Sequence, residues 1–220
     1  MPLPIEDYAL IGDCQTAALV GRDGSIDWLC WPRFDSDACF AALLGTPEHG
    51  RWLIVPQAPD VKVTRRYRED TLILETRFET ATGSVCVIDF MPPRDHASDL
   101  VRIVVGERGE VAMHTELVLR FGYGNSVPWV THIAEDTWRA IAGPDMVVLR
   151  TPAPMHGENL KSVRTSSSRK ASRFRSCCAT RPRICRTSRS QTLSTHSLEL
   201  SASGGSGSRK GTASTSGRMQ

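Results

Sequence analysis

The chain of 220 residues has room for one domain of ordinary size, or for one domain followed by a tail. Its net charge of +3 conceals a division: residues 1–160 carry 14 basic and 23 acidic side chains, whereas residues 161–220 carry 13 basic side chains and one acid. No apolar run reaches the roughly 18 residues of a membrane-spanning helix, and the first residues lack the basic and apolar regions of a secretion signal. We therefore expect a cytoplasmic protein with no membrane partner, built from an acidic body and a basic tail.

The cysteines have neither the spacing of a metal site nor the even number of a disulfide framework. There are seven of them, and no C-x-x-C motif occurs. This pattern favours free thiols in a reducing compartment, and we expect no metal ion and no cofactor. The seven are Cys14, Cys30, Cys39, Cys86, Cys177, Cys178 and Cys185.

The first predicted elements lie near the amino terminus. Two apolar runs, Thr16–Val20 and Ser25–Trp31, flank the turn sequence of residues 21–24, which predicts a pair of strands. The one segment that favours a helix is Ala38–Leu44, with Gly45 in position to end it.

The period-two pattern is clearest in the middle of the chain. Between Thr71 and Thr80, apolar and polar side chains alternate, as a strand with one buried face requires. A short turn at residues 81–83 leads into a return strand, Ser84–Met91, which ends at two prolines. The side chains predicted to share the buried face are Leu72, Leu74, Thr76 and Phe78.

Further strands follow at intervals of about ten residues. Leu100–Gly106 and Val111–Phe121 are separated by polar residues that suggest a turn, and Thr137–Ala142 and Met146–Thr151 flank a Gly-Pro-Asp turn. Many short strands with turns at this spacing are typical of a sandwich. We therefore predict an all-β fold, an antiparallel β-sandwich, over residues 1–160.

Residues 161–220 differ in composition from the body. They contain 16 Ser, 7 Thr and 10 Arg, and their one aromatic side chain is Phe174. We predict a disordered basic tail, because burial of these few apolar side chains cannot offset the entropy lost on folding. Arginines without interleaved aromatics support only salt-sensitive attraction to polyanions, and we expect no specific nucleic-acid partner.

Aromatic, arginine and aspartate residues are concentrated in the short segment of residues 27–37. Aromatic rings beside arginine and carboxylates suit a sugar site, because the rings stack on the apolar sugar face while charged groups bind hydroxyls. The alternative is a hairpin whose tryptophans cover the end of the core. We identify no catalytic residue, since aspartates that are close in sequence are weak support for a hydrolase pair. The candidate substrate-binding or partner-facing residues are Trp28, Trp31, Arg33, Phe34 and Asp35.

The body resembles the opening of bacterial and archaeal members of glycoside hydrolase family 15, the glucoamylase and trehalase group. The resemblance covers about 160 residues, with its motifs in the expected order. The segments that carry it are residues 5–45, Gly50–Trp52, Arg66–Tyr67, Thr71–Thr76, Asp89–Pro92, Leu119–Gly124 and Pro128–Trp129.

This resemblance implies an accessory β-sandwich domain whose partner is an (α/α)6 barrel carrying two catalytic glutamates, one the general acid and one the general base of an inverting hydrolase. The single acid beyond residue 159 is Glu199, so neither glutamate can be assigned here and the chain alone should be inactive. An α-glucoside substrate is then expected only in the intact enzyme, where residues 31–36 would face the mouth of the barrel.

Two alternatives stay open, a stand-alone carbohydrate-binding or interaction module and a cationic-tailed protein that binds polyanions. The Ser- and Arg-rich sequence after residue 160 also resembles the product of a GC-rich gene translated out of frame. We therefore hypothesise a frameshift near residues 160–165. Translation of the other two downstream frames tests this hypothesis: it fails if neither frame restores strand and helix patterns.

Overall fold

The structure is a computed structural model that describes residues 2–94 and 97–152, together with the backbone of three strands at 156–158, 161–169 and 173–180. By contacts, Met1–Cys185 forms one unit and Arg186–Gln220 a second, and the second lies outside the described residues. Short 3-10 helices occur at Ile5–Asp7, Ala42–Leu44 and Pro47–His49. The strands are β1 Tyr8–Gly12, β2 Ala17–Gly21, β3 Ser25–Cys30, β4 Ala38–Phe40, β5 Arg51–Pro56, β6 Lys62–Tyr67, β7 Leu74–Glu79, β8 Gly83–Phe90, β9 Asp99–Val118, β10 Trp129–Ala134, β11 Thr137–Ala142, β12 Asp145–Arg150, β13 His156–Glu158, β14 Lys161–Arg169 and β15 Arg173–Thr180.

These strands form two antiparallel sheets that share one long strand, β9. The first sheet has the order β1-β2-β3-β5-β9-β14-β13, with β4 beside β3, and the second has the order β6-β7-β8-β9-β15-β12-β11-β10. The carboxyl-terminal half of β9 pairs with β5, where Leu117 lies opposite Trp52, and the amino-terminal half pairs with β8, where Val104 lies opposite Val87. A single strand therefore belongs to both sheets.

Both sheets contribute to the main hydrophobic core, which confirms the predicted antiparallel β-sandwich. The alternation of buried and half-buried residues in β5 and β7 shows how each strand turns one face inward. The largest apolar side chains that are fully buried in this core are Trp52, Phe40, Phe78, Ile11, Ile26, Leu29, Leu74, Leu100 and Met113.

A buried ion pair links the two sheets inside this core. Arg102 of β9 donates from Nε to the Asp89 carboxylate of β8 at 2.8 Å, and both side chains are almost completely buried. The same guanidinium donates to the carbonyl oxygens of Gly24, in the turn between β2 and β3, and of Trp52, in β5 of the first sheet. It also lies over the Trp52 ring at 5.5 Å from its centroid. This arrangement satisfies a charge that would otherwise be costly to bury.

Two sequence predictions about local structure are wrong. The segment Ala38–Leu44 is not one helix, because Ala38–Phe40 pairs with β3 as strand β4 and leaves only one 3-10 turn, Ala42–Leu44, before Gly45. The turn expected at residues 107–110 is also absent. The chain continues through these largely exposed residues as part of β9, with a shift of register against β8 at Glu107 and a positive φ at Gly109, in the region where β9 passes from one sheet to the other.

The hairpin prediction in the middle of the chain is confirmed with a shorter first strand. Leu74, Thr76 and Phe78 are buried on one face of β7, whereas Leu72 lies before the strand and is exposed. The strand begins late because a turn precedes it, in which the N–H of Thr71 donates to the carbonyl of Arg68.

Part of the predicted tail has strand backbone. Residues 161–169 pair with β9 as β14, and residues 173–180 join β9 to β12 as β15. A polar segment can form such pairs because β9 offers backbone groups whatever the side chains of its partner. The disordered basic tail stays a prediction. The rest of the predicted tail, residues 170–172 and 181–220, lies outside the described residues.

Candidate functional site

The candidate residues lie at one end of the sandwich, in the loop of residues 31–37 that connects β3 to β4. Its base is closed by a hydrogen bond from the N–H of Trp31 to the carbonyl of Asp37, 3.3 Å long. The peptide bond between Trp31 and Pro32 is cis. Farther along, the N–H of Phe34 donates to the carbonyl of Gln15, in the loop between β1 and β2. The loop is thus attached to the neighbouring connection.

The five predicted residues divide into two tryptophans, one buried and one half-buried, and an exposed tip. Trp31 is 5 % exposed and belongs to the main core, whereas Trp28 is half-buried and packs against a smaller apolar cluster. Phe34 is 64 % exposed, and Arg33 and Asp35 on either side of it are exposed as well. Three of the five can therefore contact solvent or a partner directly, and Trp31 supports them from below.

The two charged residues of the tip form an ion pair with each other. Arg33 Nε donates to Asp35 Oδ1 at 2.9 Å. The same hydrogen bond lowers the pKa of the Asp35 carboxyl and raises the pKa of the Arg33 guanidinium. Asp35 is therefore an ionised acceptor at neutral pH, unsuited to act as a general acid. An ion pair in water contributes little to stability, so this one leaves both groups available to a binding partner.

A second carboxylate of the same stretch, Asp27, serves the fold. Its Oδ2 accepts a hydrogen bond from the Tyr8 hydroxyl at 2.7 Å, and its Oδ1 accepts one from the Ser25 hydroxyl. Burial is the main cause, and the Asp27 hydrogen bond the next, of a pKa of Tyr8 raised well above its usual value. Asp27 is buried and has partners on both oxygens, so it is not placed to form a hydrolase pair with Asp35.

One aromatic residue beside the loop was not identified from the sequence. Tyr123 lies with its ring centroid 6.2 Å from that of Trp28, at an interplanar angle of 42°, and is 44 % exposed. Its N–H donates to the carbonyl of Ala38, which holds it beside β4. The sequence signal was the pair of flanking glycines, Gly122 and Gly124, which both adopt positive φ in this turn. The two rings form an aromatic surface of the kind that stacks on sugars.

Two findings concern the described part of the chain as a whole, one on metal-ligating side chains and one on long apolar helices. Over these residues, no group of three or more His, Cys, Asp or Glu side chains is arranged to hold an ion. Within the same residues, no helix combines the length and the apolar character that crossing a membrane would require.

Comparison with known families and with known proteins points to the same family. Residues 1–166 match the family described as trehalase-like, N-terminal. The chain is 42 % identical over 86 residues to a trehalase of Mycolicibacterium smegmatis, an alignment that covers 39 % of this chain and 13 % of that protein. It is 35 % identical over 118 residues to trehalase 2 of Sulfolobus acidocaldarius, covering 54 % and 19 %, and 31 % identical over 131 residues to a trehalase of Thermoplasma volcanium, covering 56 % and 21 %.

The chain thus aligns with only about a fifth or less of the length of these trehalases. The family match covers most of the chain, includes every residue of the candidate loop, and ends at residue 166, six residues beyond the boundary predicted at 160. The frameshift hypothesis remains a prediction. On the match over residues 1–166, the chain belongs to the family of trehalase-like N-terminal domains.

Proposed function

We propose that the chain is the accessory, non-catalytic domain of an α-glucoside hydrolase of the trehalase or glucoamylase type, in glycoside hydrolase family 15. The observation that carries the proposal is the family match over residues 1–166, combined with alignments that reach no more than 21 % of the trehalases' length. The chemistry in such an enzyme then belongs to a separate (α/α)6 barrel, and the chain alone does not cleave the substrate.

Within this proposal, the loop of residues 31–37 faces the barrel and its substrate. Phe34 is a large, solvent-exposed apolar side chain that a partner surface can cover. Arg33 and Asp35 flank it with a donor and an acceptor of the kind that bind sugar hydroxyls or a polar rim. The backbone hydrogen bond of Phe34 to Gln15 keeps the loop ordered before contact, which lowers the entropy lost on binding.

The first experiment measures glucose release by the purified chain with trehalose and with maltose. We expect no hydrolysis above a heat-inactivated control, and turnover by the chain alone would refute the accessory role. The second experiment replaces the residues matching Phe34 and Arg33 by alanine in an intact trehalase relative. Turnover should fall, whereas replacing the residue that matches the exposed Arg77 of β7 should leave it unchanged. Unchanged kinetics in the loop variants would remove the loop from the site.

A second candidate function is carbohydrate binding by the chain alone. The observation that favours it is the partly exposed pair formed by Trp28 and Tyr123 beside the charged loop. Calorimetric titration with maltose and longer malto-oligosaccharides tests it. Binding that Tyr123→Ala abolishes and that Trp129→Ala keeps would support a carbohydrate-binding module, because Trp129 is also exposed but is not part of the pair. If no heat of binding is detected, the chain alone does not bind these sugars and only the accessory role remains.

We also propose a cytoplasmic location, on the basis of the thiols. Cys14, Cys30, Cys39 and Cys86 are free, and three of these four are buried. Unpaired cysteines in this number are common in reducing compartments and rare in secreted proteins. Thiol titration of protein isolated from cells under non-reducing conditions tests this, since a count lowered by disulfide formation would contradict it.

A further inference from the structure

A buried carboxylate and its arginine partner together join three connections at the end of the sandwich that carries the loop. Asp13, between β1 and β2, has a completely buried side chain. Its Oδ1 accepts hydrogen bonds from the N–H groups of Gln15 and Thr16, at 3.0 and 2.9 Å. Its Oδ2 accepts from Arg94 Nη2 and from the Ser98 hydroxyl, each at 2.8 Å. These last two donors lie between β8 and β9, so one side chain holds two connections together.

Arg94 extends this contact to the third connection, the loop of residues 31–37. Its Nη2 also donates to the carbonyl oxygen of Pro32, at 2.6 Å. Two residues farther along, the N–H of Phe34 donates to the carbonyl of Gln15, which is itself held by Asp13. The loop is therefore attached at two points, directly through Arg94 and indirectly through the Gln15 backbone, and both attachments depend on the Asp13 carboxylate.

The same loop carries side chains that have no role in the core. Phe34 is largely exposed, and the ion pair on either side of it is in water. A fold gains little stability from ordering such a tip, because ordering costs conformational entropy and the exposed contacts return little. The ion pair between the buried Asp13 and the partly buried Arg94 nevertheless fixes the backbone of the loop. Preorganisation for binding accounts for this combination, since a loop that is already ordered loses less entropy when a partner covers it.

We infer that Asp13 and Arg94 are positioning residues, whose ion pair holds the loop of residues 31–37 so that Phe34 projects from the surface in one conformation. This inference rests on the proposed function, in which that loop faces the catalytic barrel. The electrostatics agree with the geometry. Burial alone would favour the neutral acid, but the hydrogen bonds from Arg94, Ser98 and the two backbone N–H groups outweigh it and lower the pKa of Asp13. The carboxylate is therefore the form present at neutral pH.

Amide hydrogen exchange of the full chain tests the inference, with exchange at Phe34 as the readout. In Asp13→Asn and Arg94→Met, we expect the Phe34 amide to exchange about tenfold faster or more, as for the loss of one charge-assisted hydrogen bond. The Ile54 amide, which donates to the carbonyl of Gly24 in the core, reports on the fold as a whole and should change much less. Arg94→Lys keeps the charge with fewer donors, so its effect should be smaller than that of Arg94→Met.

The matched control is Arg51→Met, which breaks a partly buried ion pair with Glu116 between β5 and β9, at 2.9 Å. It should leave exchange at Phe34 unchanged. The inference is overturned if Phe34 exchange is unaltered in Arg94→Met, or if Phe34 and Ile54 accelerate equally in every variant, which is the result of a purely stabilising role. If Asp13→Asn does not fold, the two Arg94 variants decide the question. The measurement uses neither partner nor substrate, so it can fail while the accessory function stands, and the reverse also holds.

Discussion

Replacing Arg102 by methionine should destabilise the chain severely, because it leaves a charge in the core without a partner. Removing one member of a buried ion pair costs about 3–5 kcal/mol, and the Asp89 carboxylate would be the member left behind. The carbonyl oxygens of Gly24 and Trp52 also lose their donor, which adds about 1 kcal/mol or more. We therefore expect the free energy of unfolding to fall by about 4–6 kcal/mol, out of the roughly 5–15 kcal/mol of an ordinary domain.

Urea unfolding at pH 7, followed by tryptophan fluorescence and circular dichroism, measures this change at a constant m-value. At about 2–4 °C per kcal/mol for a chain of this size, the melting temperature should fall by about 8–24 °C. The control is Arg77→Met, which breaks a surface ion pair with Glu107 and should cost about 0–1 kcal/mol. Replacing Arg102 and Asp89 together by leucine should cost less than Arg102→Met alone, because no unpaired charge remains. An Arg102→Met variant within about 1 kcal/mol of the unaltered chain would refute the reasoning.

Three further outcomes are expected. Gly24→Ala should destabilise by about 1–3 kcal/mol more than Gly143→Ala, by urea unfolding, because both residues have positive φ but only the first would press a Cβ against a carbonyl oxygen of β5; equal losses would contradict this. The stability advantage of the unaltered chain over Asp13→Asn should be present above the pKa of Asp13 in the unfolded chain, about 3.9, and should be lost as the pH falls through its lower pKa in the folded chain. A difference in the free energy of unfolding that stays constant down to pH 2 would be evidence against the buried carboxylate. At pH 8, iodoacetamide should label the exposed Cys14 and should not label Cys86 until the chain unfolds, because burial raises the pKa of Cys86 to about 12. Peptide mapping by mass spectrometry measures the two labelling rates, and equal rates would contradict this expectation.

The hairpins could be predicted from the sequence because their information is local. The strands Thr137–Ala142 and Asp145–Arg150 agree with the sequence prediction to within one residue at each end, since a Gly-Pro-Asp turn separates two apolar runs. The return strand Gly83–Phe90 agrees equally well. In each case the pairing partners are adjacent in the chain, so alternation and turn residues suffice to define the pair.

Elements that depend on distant partners were not predictable in this way. The polar residues 107–110 have the composition of a turn, yet they lie within β9 because β8 pairs with residues 108 and 109 and β14 pairs with residue 110. Similarly, the short apolar run at 38–44 favours a helix until strand β3 is available to pair with Ala38–Phe40. The buried position of Arg102 also has no local signal, because its carboxylate partner and carbonyl acceptors come from three other segments.

For the candidate site, the sequence placed the exposed tip together because Arg33, Phe34 and Asp35 are consecutive. It could not distinguish the buried Trp31 from the half-buried Trp28, since both are large aromatic residues three positions apart. Tyr123 was beyond its reach as well, because nearly a hundred residues separate it from Trp28 and only the folded sheets bring the two rings together.

The sharing of β9 by both sheets has a consequence for how the chain folds during synthesis. Neither sheet has its central strand until residues 99–118 have left the ribosome, and contacts such as that of Arg51 with Glu116 span 65 positions. Long-range strand pairing of this kind is intrinsically slow. The strands made first must therefore wait with their apolar faces exposed, which is when aggregation competes with folding. A chaperone that holds the first hundred residues of the nascent chain should raise the yield of folded protein more than one added after synthesis is complete.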